Sequence, residues 1–290
     1  MPNVLITGGK GQLGLELAQR FAEKVVVETT TSIDVDEVDV TNRDQVDELF
    51  RFLRPDIVVH AAAMTQVDAC EENAETAFKV NALGTRWVYE ASRSIGAHMC
   101  YVSTDYIFDG QADTAYTEWD TPNPASVYGK SKLAGERELG KDALIVRTSW
   151  VVGRFGHNMV KTILKLADSP GDLRFVNDQV GSPTVAGDLA DKIVQLTLEK
   201  RIGVYNVTNS GQTSWYELAR FVLQSAGHDP ERVKAISSSE LPSERKAPRP
   251  NYSVLAPTAL RLSDAGVLPH WQDSIRDLVQ YLTIQKGQSG

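Results

Sequence analysis

Short apolar runs alternate with longer stretches of helical periodicity through the first half of the chain, and this alternation limits the fold more than any other feature of the sequence. It is typical of strand–helix–strand units that build a parallel sheet. The run Ile57-Val58-Val59 is apolar at successive positions, so both faces of that strand must be covered. We expect strands at residues 3–7, 25–29, 56–61, 98–103 and 143–147, and helices at residues 12–21, 43–53, 74–94 and 126–139. The sequence therefore predicts an α/β fold with a doubly wound parallel sheet.

The pattern changes after Trp150. Helical stretches at residues 157–167, 188–199, 214–226 and 271–283 are separated by loops that contain Pro, Gly and Ser. Residues 237–257 hold four of the twelve prolines, too many for a regular helix or strand, so we expect an ordered binding loop or a surface excursion there. We expect residues 1–150 to form the main sheet domain and residues 151–290 a smaller α/β portion, allowing a strand or helix to be exchanged between the two.

Charge and cysteine content exclude several classes of protein. Among the 290 residues, 30 Lys and Arg stand against 38 Asp and Glu, for a formal net charge of −8. An acidic chain lacks the electrostatic attraction needed for a sequence-independent grip on nucleic acid or an anionic membrane. The two cysteines, Cys70 and Cys100, have neither metal-binding nor disulfide spacing. We therefore expect a cytoplasmic protein without a nucleic-acid or membrane partner.

A glycine-rich turn, Thr-Gly-Gly-Lys-Gly-Gln-Leu-Gly at residues 7–14, joins the first expected strand to the first expected helix. Gly8 permits a tight turn, Gly11 lets backbone N–H groups approach a pyrophosphate, and Gly14 allows the helix to pack closely on the strand. The first gap is one residue longer than in the usual G-x-G-x-x-G fingerprint, and the alternative is an ordinary strand-to-helix turn. Its position predicts a Rossmann-type dinucleotide site, with cofactor contacts from Gly8, Lys10, Gly11, Gln12, Leu13 and Gly14.

The choice between NADH and NADPH stays open in the sequence. Glu28, near the end of the second expected strand, is placed to accept a hydrogen bond from the adenosine ribose 2′-OH, which favours NADH. The alternative is that Glu28 is a solvated residue at the strand end. Lys10 in the turn is a candidate partner for the 2′-phosphate of NADPH. Asp39 and Val40, just before the next helix, are candidate adenine contacts, although Asp39 is equally suited to a turn.

Tyr128 and Lys132 lie one helical turn apart on the same face of an expected helix. A lysine ammonium beside a tyrosine favours the phenolate and lowers a phenol pKa that is about 10 when unperturbed. Thr104 follows the preceding strand, at the edge where ligands of open α/β sheets bind. These side chains predict a hydride-transfer site in which Thr104 binds a substrate carbonyl, Tyr128 protonates its oxygen and Lys132 holds the nicotinamide ribose. The alternative is that Thr104 and Tyr128 only satisfy buried hydrogen bonds.

Further motifs extend this pattern over nearly the whole chain. They are Thr-Gly-Gly-x-Gly-Gln-Leu-Gly at 7–14, His-Ala-Ala-Ala at 60–63, Thr65 to Asp68, Asn-x-x-Gly at 81–84, Ser-Thr-Asp-Tyr-x-Phe-Asp-Gly at 103–110, Tyr-Gly-Lys-Ser-Lys at 128–132, Arg-Thr-Ser-Trp at 147–150, Asp-Gln-x-Gly-Ser-Pro-Thr at 178–184 and Arg-Pro-Asn-x-Ser at 249–253. With them the sequence resembles the extended short-chain dehydrogenase/reductases, and most closely the dTDP-4-dehydrorhamnose reductases. The resemblance implies reduction of the C4 keto group of dTDP-4-dehydro-L-rhamnose to dTDP-L-rhamnose by NADPH or NADH, with Tyr128 as the proton donor.

The resemblance also implies roles for individual residues. Thr104, Tyr128 and Lys132 become the catalytic trio, and Tyr128 and Lys132 also count as cofactor-binding residues. Asn81 would belong to the cofactor site by positioning Lys132 through a water or the helix backbone, its alternative being a purely structural helix residue. Further cofactor contacts come from the wall formed by Ala61, Ala62 and Ala63. Sugar contacts are expected from Thr65, Val67, Asp105 and Trp150.

Arg249 is expected to bind the nucleotide diphosphate, because a planar guanidinium pairs bidentately with phosphate oxygens. The alternative for Arg249 is a surface salt bridge with Glu244 or Glu240. Some members of the resembled family are dimers bridged by magnesium through glutamates near the C-terminus. Here residues 276–290 contain a single carboxylate side chain, Asp277. We therefore expect no bound metal, and a monomer or homodimer.

Other functions fit parts of the sequence. A sugar-nucleotide 4,6-dehydratase typically has Thr-Asp-Glu where this chain has Thr104-Asp105-Tyr106, so reduction is favoured over elimination of water. A nucleotide-sugar 4-epimerase, another keto-sugar reductase and a non-catalytic NADP-binding subunit like the regulatory subunit of methionine adenosyltransferase remain as alternatives. Trp87 and Trp215 lie on helical patterns and are expected in the core rather than against a ligand.

Overall fold

The computed structural model describes residues 2–24, 29–241 and 246–288. Within these ranges the strands are β1 Asn3–Thr7, β2 Thr29–Ile33, β3 Ile57–His60, β4 His98–Thr104, β5 Leu144–Thr148, β6 Val151–Val152, β7 Leu173–Val176, β8 Val180–Gly181, β9 Thr184–Val185, β10 Gly203–Asn206, β11 Thr213–Ser214 and β12 Val233–Ile236. A parallel sheet of six strands in the order β10-β5-β4-β3-β1-β2 forms the centre of the molecule. The predicted α/β class with a doubly wound parallel sheet is confirmed.

Helices cover both faces of this sheet. They are α1 Gln12–Lys24, α2 Arg43–Leu53, α3 Val67–Glu72, α4 Ala74–Phe78, α5 Thr85–Ser94, α6 Val127–Arg137, α7 Met159–Ala167, α8 Ala186–Leu198, α9 Trp215–Ser225, α10 Thr258–Leu262 and α11 Trp271–Gln288. None of the helices in the described ranges is both long enough and apolar enough to cross a bilayer.

The strand order places a topological switch between β1 and β3. The chain runs from β1 outward to β2, then returns to the other side of β1 to begin β3. Thr7 and His60 are paired at the ends of these two strands, so the segments that follow them leave the sheet side by side. Ligands of open α/β sheets bind in the crevice at such a point. The topology therefore brings the glycine turn next to the Ala61 to Ala63 segment.

The second strand ends four residues later in the chain than the sequence suggested. The expected strand at residues 25–29 shares only Thr29 with β2, and residues 25–28 are outside the described part of the chain. Parallel pairing with β1 runs from Thr29, opposite Asn3, to Ile33, opposite Thr7. The apolar run that suggested a strand is thus followed by a threonine-rich one whose β-branched side chains suit a pleated sheet. This register puts Ile33 in the core and Asp34 at the carboxyl end of the strand.

The helix expected at residues 74–94 is interrupted in the middle. A π-helical segment, Lys79–Gly84, separates α4 from α5. Its Asn81 is fully buried and hydrogen-bonds to Met64 through both ends of its amide. π-Helical insertions inside helices are frequently found at functional sites. The side-chain periodicity of the sequence did not reveal this one.

Residues from both expected portions share the central core. On one face of the sheet, Leu17 and Phe21 of α1 pack with Leu189 and Ile193 of α8, and β10 completes the sheet at its edge. A separate apolar core joins β6, β7, β12, α7, α9 and α11. The second half of the chain therefore alternates between the two: it begins the smaller lobe with β6, α7 and β7, returns to the central sheet with α8 and β10, and completes the smaller lobe with α9, β12 and α11.

Part of the proline-containing segment packs against both lobes. Its backbone forms isolated bridges that pair Leu255 with Tyr116 and Tyr252 with Val180, and Val254 and Leu255 are buried. Proline suits such an extended path, because its ring fixes φ and it has no backbone N–H that would need a hydrogen-bond acceptor. Residues 246–257 are therefore an ordered connection that tethers the smaller lobe to the main domain.

A buried ion pair fixes α6 on the sheet. Arg147 on β5 donates to Glu136 on α6 through Nε at 3.0 Å and Nη2 at 2.8 Å, and both side chains are 6% exposed. Ser103 on β4 donates its hydroxyl to the same carboxylate at 2.5 Å. Three elements thus meet at one satisfied charge pair, next to the end of the strand that carries Thr104.

We expect Glu136→Gln to destabilise the protein by about 3–5 kcal/mol, because it leaves the Arg147 guanidinium buried without a counter-charge. Urea unfolding followed by circular dichroism measures this loss. The control is Asp168→Asn, which breaks an exposed pair with Lys286 and should change stability by about 0.5 kcal/mol at most. Equal effects of the two variants would contradict the assigned role of Glu136.

Candidate active site

A cavity of about 630 Å³ lies at the carboxyl edge of the central sheet, between the sheet and the smaller lobe. Of the residues singled out in the sequence, those that line it are Gly8, Gly11, Gln12, Leu13, Gly14, Asp39, Val40, Ala61, Ala62, Ala63, Thr65, Val67, Thr104, Asp105, Tyr128, Lys132 and Trp150. Lys10, Asn81 and Arg249 stand behind or beside this lining. Glu28 is outside the described residues.

The glycine turn is packed too tightly to admit side chains. Gly8 has φ +70°, and a Cβ there would come within 2.7 Å of the backbone nitrogen of Ala62. A Cβ on Gly14 would come within 2.2 Å of the carbonyl oxygen of Gly8. Gly14 thus permits contact between α1 and the backbone of its own turn, in addition to any packing on the strand. The result is a backbone-lined cradle at a helix N-terminus, which suits a pyrophosphate.

Asp34 occupies the position that the sequence argument assigned to Glu28. It directly follows β2 and lines the cavity, and its Oδ2 accepts a hydrogen bond from the Lys10 backbone N–H at 3.1 Å. In dinucleotide folds the acid at this strand end binds the ribose 2′-OH. The sequence did not predict this position for Asp34, because the expected strand ended at residue 29 and β2 ends at Ile33. The available signal was that Asp34 is the first acid of the run Asp34-Val35-Asp36-Glu37.

Asp39 serves a turn as well as the cavity. Its Oδ1 accepts from the Thr41 backbone N–H at 2.9 Å, and its own N–H donates to Gln45 at 3.0 Å. The turn leaves Asp39 and Val40 on the cavity wall. Asp39 therefore serves the turn, and its contact with adenine stays a prediction.

Thr104 is the last residue of β4, Asp105 follows it, and both line the cavity. The Thr104 hydroxyl donates to Asp105 Oδ1 at 3.0 Å and accepts from the Tyr106 backbone N–H at 3.2 Å. Asp105 is 2% exposed and lines the cavity. Burial raises the pKa of Asp105 to about 6, and hydrogen bonds from the Ser253 and Thr104 side chains act in the opposite direction. A buried carboxylate beside a cavity is suited to accept from a ligand hydroxyl.

Tyr128 is held at the first turn of α6. Ser126 caps the helix by accepting from the Gly129 N–H at 3.1 Å. A Cβ on Gly129 would come within 2.0 Å of the Tyr106 carbonyl oxygen, so a glycine is needed for this close approach. Burial raises the pKa of Tyr128, with the Thr104 hydroxyl acting in the opposite direction. Our expectation that Lys132 would lower the pKa of Tyr128 is wrong, because desolvation is the largest influence and raises it, and Lys132 is not among the groups that shift it.

Lys132 lies below Tyr128 on the same helix and is 2% exposed. Its Nζ donates to the Val102 carbonyl at 2.7 Å and lies 4.1 Å from the centre of the Tyr101 ring. Burial lowers the pKa of Lys132 to about 7, and nearby Glu136 opposes this change. The amine is therefore poised between its charged and neutral forms near physiological pH.

Asn81 contacts the catalytic helix rather than the cavity. Its side-chain Nδ2 donates to the Ser131 hydroxyl at 2.9 Å, and its backbone carbonyl accepts from the Tyr101 hydroxyl at 3.4 Å. The same Tyr101 hydroxyl lies 3.3 Å from the Lys132 carbonyl oxygen. Asn81 is thus connected to the helix backbone at Lys132, the connection that the sequence argument considered, and it has no direct place in the cavity lining.

Two stacked indoles form an apolar wall of the cavity. The rings of Trp150 and Trp215 lie 3.6 Å apart between centres at an angle of 7°. Trp150 has φ +45°, which is strained for a bulky residue, and a Cβ on Gly181 would come within 2.5 Å of its ring. Trp215 packs against the core of the smaller lobe, as expected, and it also lines the cavity with Trp150, which the sequence did not predict. Trp215 reaches the cavity because it is the first residue of α9, and helical periodicity does not predict which residues lie at such a cavity.

Arg249 is bound to a carboxylate that the sequence argument did not consider. Its guanidinium forms a bidentate pair with Asp68 at 2.7 and 2.6 Å, next to Val67 of the cavity wall. Arg249 lowers the pKa of Asp68 well below its usual range. Of the partners expected for Arg249, Glu240 pairs with Arg174 at 3.3 Å and Glu244 is outside the described residues.

A backbone cradle at one end of a cavity, with a buried tyrosine and lysine at the other, is the arrangement of a dinucleotide-dependent short-chain dehydrogenase/reductase. Comparison with known proteins agrees. The chain belongs to the family described as the RmlD substrate binding domain, whose model matches residues 2–284. The family resemblance seen in the sequence is therefore confirmed.

Relatives align along their full length. The spore coat polysaccharide biosynthesis protein SpsK of Bacillus subtilis is 39% identical over 97% of this chain and 98% of its own. A crystal structure of a dTDP-4-dehydrorhamnose reductase from Clostridium acetobutylicum superposes with a TM-score of 0.92 at 39% identity, covering 97% of this chain and 99% of the other. That of a Bacillus anthracis dTDP-4-dehydrorhamnose reductase in complex with NADP gives 0.90 at 36%, covering 96% and 98%.

Because Lys132 is buried, we expect the stability of the protein to depend on pH. Its pKa is about 7 in the folded protein and 10.5 ordinarily, so between these values the unfolded chain binds more protons and stability rises with pH. Lys132→Met removes this dependence. We expect the difference in Tm, variant minus wild type, to be greatest at and below pH 7 and to shrink as the pH rises toward 10.

Thermal unfolding by circular dichroism from pH 6 to pH 9.5 checks this. Lys130→Met, an exposed position on the same helix, is the control and should give a difference that does not vary with pH. A similarly flat difference for Lys132→Met would show that Lys132 keeps its ordinary pKa.

Proposed function

We propose that the protein reduces the C4 keto group of dTDP-4-dehydro-L-rhamnose to dTDP-L-rhamnose with NADPH or NADH. The observation that carries the proposal is the convergence of Thr104, Asp105, Tyr128 and Lys132 at one end of a cavity whose other end is the glycine cradle. Relatives named as dTDP-4-dehydrorhamnose reductases match nearly the whole chain, including one from Escherichia coli that is 35% identical over 97% of it. Their activity is thus the first candidate for this cavity.

The residues present fit a dinucleotide. The cradle at Gly8 would be filled by a Cβ, the N-terminus of α1 faces it, and Asp34 offers an acceptor for the ribose. Ala61 to Ala63 would cover the cofactor on the β3 side, with Asp39 and Val40 beside the adenine. When bound, the reduced nicotinamide supplies the hydride.

Side chains of the protein supply the proton for the reduction and stabilise the group that loses it. Because burial keeps the Tyr128 phenol protonated, its hydroxyl donates a proton to the substrate C4 oxygen as negative charge develops there. The Thr104 hydroxyl hydrogen-bonds the same oxygen and fixes its position. The phenolate left on Tyr128 is stabilised by the ammonium form of Lys132, which also holds the nicotinamide ribose. The Val102 carbonyl keeps the Lys132 amine in place.

Sugar recognition is assigned to the walls around this centre. The Asp105 carboxylate accepts from a sugar hydroxyl, Thr65 and Val67 border the ring, and Trp150 supplies an apolar surface backed by Trp215. Arg249 binds the diphosphate by exchanging Asp68 for phosphate oxygens. The smaller lobe, mainly residues 151–290, thereby closes the nucleotide-sugar over the dinucleotide bound mainly by residues 1–150.

Tyr106 argues for reduction over dehydration. A dehydratase needs an acid after Thr104-Asp105, and this chain places there a tyrosine whose ring lies edge-on to Tyr128 at 5.5 Å between centres. A phenol with an ordinary pKa near 10 is a poor group for expelling water at neutral pH. The free, buried thiols of Cys70 and Cys100 suit a reducing compartment, so we assign the enzyme to the cytoplasm, as a monomer or homodimer.

The direct test mixes the purified protein with NADPH or NADH and enzymatically generated dTDP-4-dehydro-L-rhamnose, and follows the loss of nicotinamide absorbance together with formation of dTDP-L-rhamnose. Turnover supports the proposal. Cofactor binding without turnover would favour another keto-sugar or a non-catalytic regulatory subunit. Copurification of tightly bound NAD with sugar epimerisation would favour a 4-epimerase.

Tyr128→Phe should lower kcat by about 10²- to 10⁴-fold, because it removes the proton donor and leaves the ring in place. Cofactor binding, followed by nicotinamide fluorescence, should stay within a few-fold of wild type. Tyr281→Phe on α11 is the matched control and should retain full turnover. If Tyr128→Phe also retained it, the proton would have to come from elsewhere.

Arg249 and Asp68 give a discriminating pair of variants. Arg249→Met should raise KM for the nucleotide-sugar about tenfold or more, since a charge-assisted bidentate contact is lost. Asp68→Asn should leave KM unchanged or lower it, because it releases Arg249 for the diphosphate. Steady-state kinetics at saturating cofactor measure both. An equal rise in KM in the two variants would indicate that the pair is only structural.

A further inference from the structure

We propose that Asp36 and Glu37 hold Lys10 away from the 2′-phosphate position of the cofactor, so that the protein binds NADH in preference to NADPH. The inference deepens the proposed function, since it concerns the selectivity of the same dinucleotide site. It assigns a specificity role to three residues that take no part in hydride or proton transfer.

The geometry begins with Lys10 in the glycine turn. Its Nζ lies 2.5 Å from Asp36 Oδ2 and 3.5 Å from Glu37 Oε1. Its backbone N–H donates to Asp34 Oδ2, so turn and strand end are joined at two levels. The one cation of the glycine turn is thus neutralised by the loop that follows β2.

Asp34 is held ready for a ribose diol by the same loop. Its Oδ1 accepts from the Val35 N–H at 2.8 Å, and its own N–H donates to Glu37 Oε2 at 2.6 Å. These contacts fix the carboxylate at the carboxyl end of β2, where an acid accepts from the adenosine 2′-OH. A 2′-phosphate at that position would meet Asp34, Asp36 and Glu37, while the cation that could balance it is already engaged. Repulsion between these carboxylates and the 2′-phosphate would disfavour NADPH.

The preference is moderate because the ion pairs are exposed. The side chains of Lys10 and Asp36 are 57% and 64% exposed, and such pairs are individually weak. A dianionic phosphate can therefore compete for Lys10 at a cost. We expect wild-type Kd values for NADH and NADPH to differ roughly threefold to tenfold in favour of NADH.

The test measures Kd for NADH and NADPH by nicotinamide fluorescence, with no sugar present. Asp36→Asn combined with Glu37→Gln should tighten NADPH binding roughly threefold to tenfold and leave NADH within about twofold, because it frees Lys10 and removes two negative charges. Adding Lys10→Met to this double variant should abolish the part of the gain that depends on the freed lysine. Asp44→Asn combined with Glu48→Gln removes two exposed charges from α2 and is the matched control, which should leave the ratio unchanged.

Tighter binding of NADPH than NADH by the wild type, with loss of NADPH binding alone in Lys10→Met, would overturn the inference. So would an unchanged ratio of Kd values in the Asp36, Glu37 double variant that binds both cofactors. Failure of the wild type to bind either dinucleotide would overturn the proposed function together with this inference. Absence of sugar reduction with intact, selective binding would overturn only the proposed function.

Discussion

The buried contact between Arg147 and Glu136 holds the catalytic helix against the sheet, and the geometry of the site depends on it. Taking two charges out of water is costly, and the structure recovers the cost only where both partners and the Ser103 hydroxyl are in place. Such a contact tolerates little displacement. Because Glu136 lies one turn beyond Lys132 and Ser103 immediately precedes Thr104, the ion pair sets the position of α6 relative to the strand end that faces it.

Burial then decides the protonation of the reactive groups. The same lack of water that raises the pKa of Tyr128 lowers that of Lys132 to about 7, so the cavity stores a proton on the phenol and keeps the lysine responsive to its surroundings. A proton donor needs the first condition, and stabilisation of the phenolate after transfer needs a lysine that can become charged. In the proposed mechanism, bound phosphates and a developing negative charge would both favour the ammonium form.

Beside the cavity, the two cations that we propose as phosphate ligands are both held by carboxylates. Asp36 and Glu37 engage Lys10 beside the ribose end of the cradle, and Asp68 engages Arg249 beside the sugar side. Neither cation is left unpaired in the protein alone, which avoids uncompensated charge near the cavity. Under both of our proposals, a ligand phosphate must displace a carboxylate from its cation. The strength of each internal pair would then contribute to the selectivity for the ligand.

The sequence by itself determined the α/β class, the dinucleotide turn and the pairing of Tyr128 with Lys132, because each follows from spacing within a few residues. Local periodicity tells which face of an element is buried and which side chains share a turn. It ended β2 four residues too early, missed the π-helical segment at Asn81 and did not place Trp215 at the cavity, because those outcomes depend on strand register and on packing between distant segments. The tertiary structure alone identified Asp34 at the end of β2, joined Asp68 to Arg249 across 181 residues of chain, and reversed the expected shift of the pKa of Tyr128. The physical reason is that register, desolvation and charge pairing are properties of the folded neighbourhood, which contacts between distant parts of the chain create.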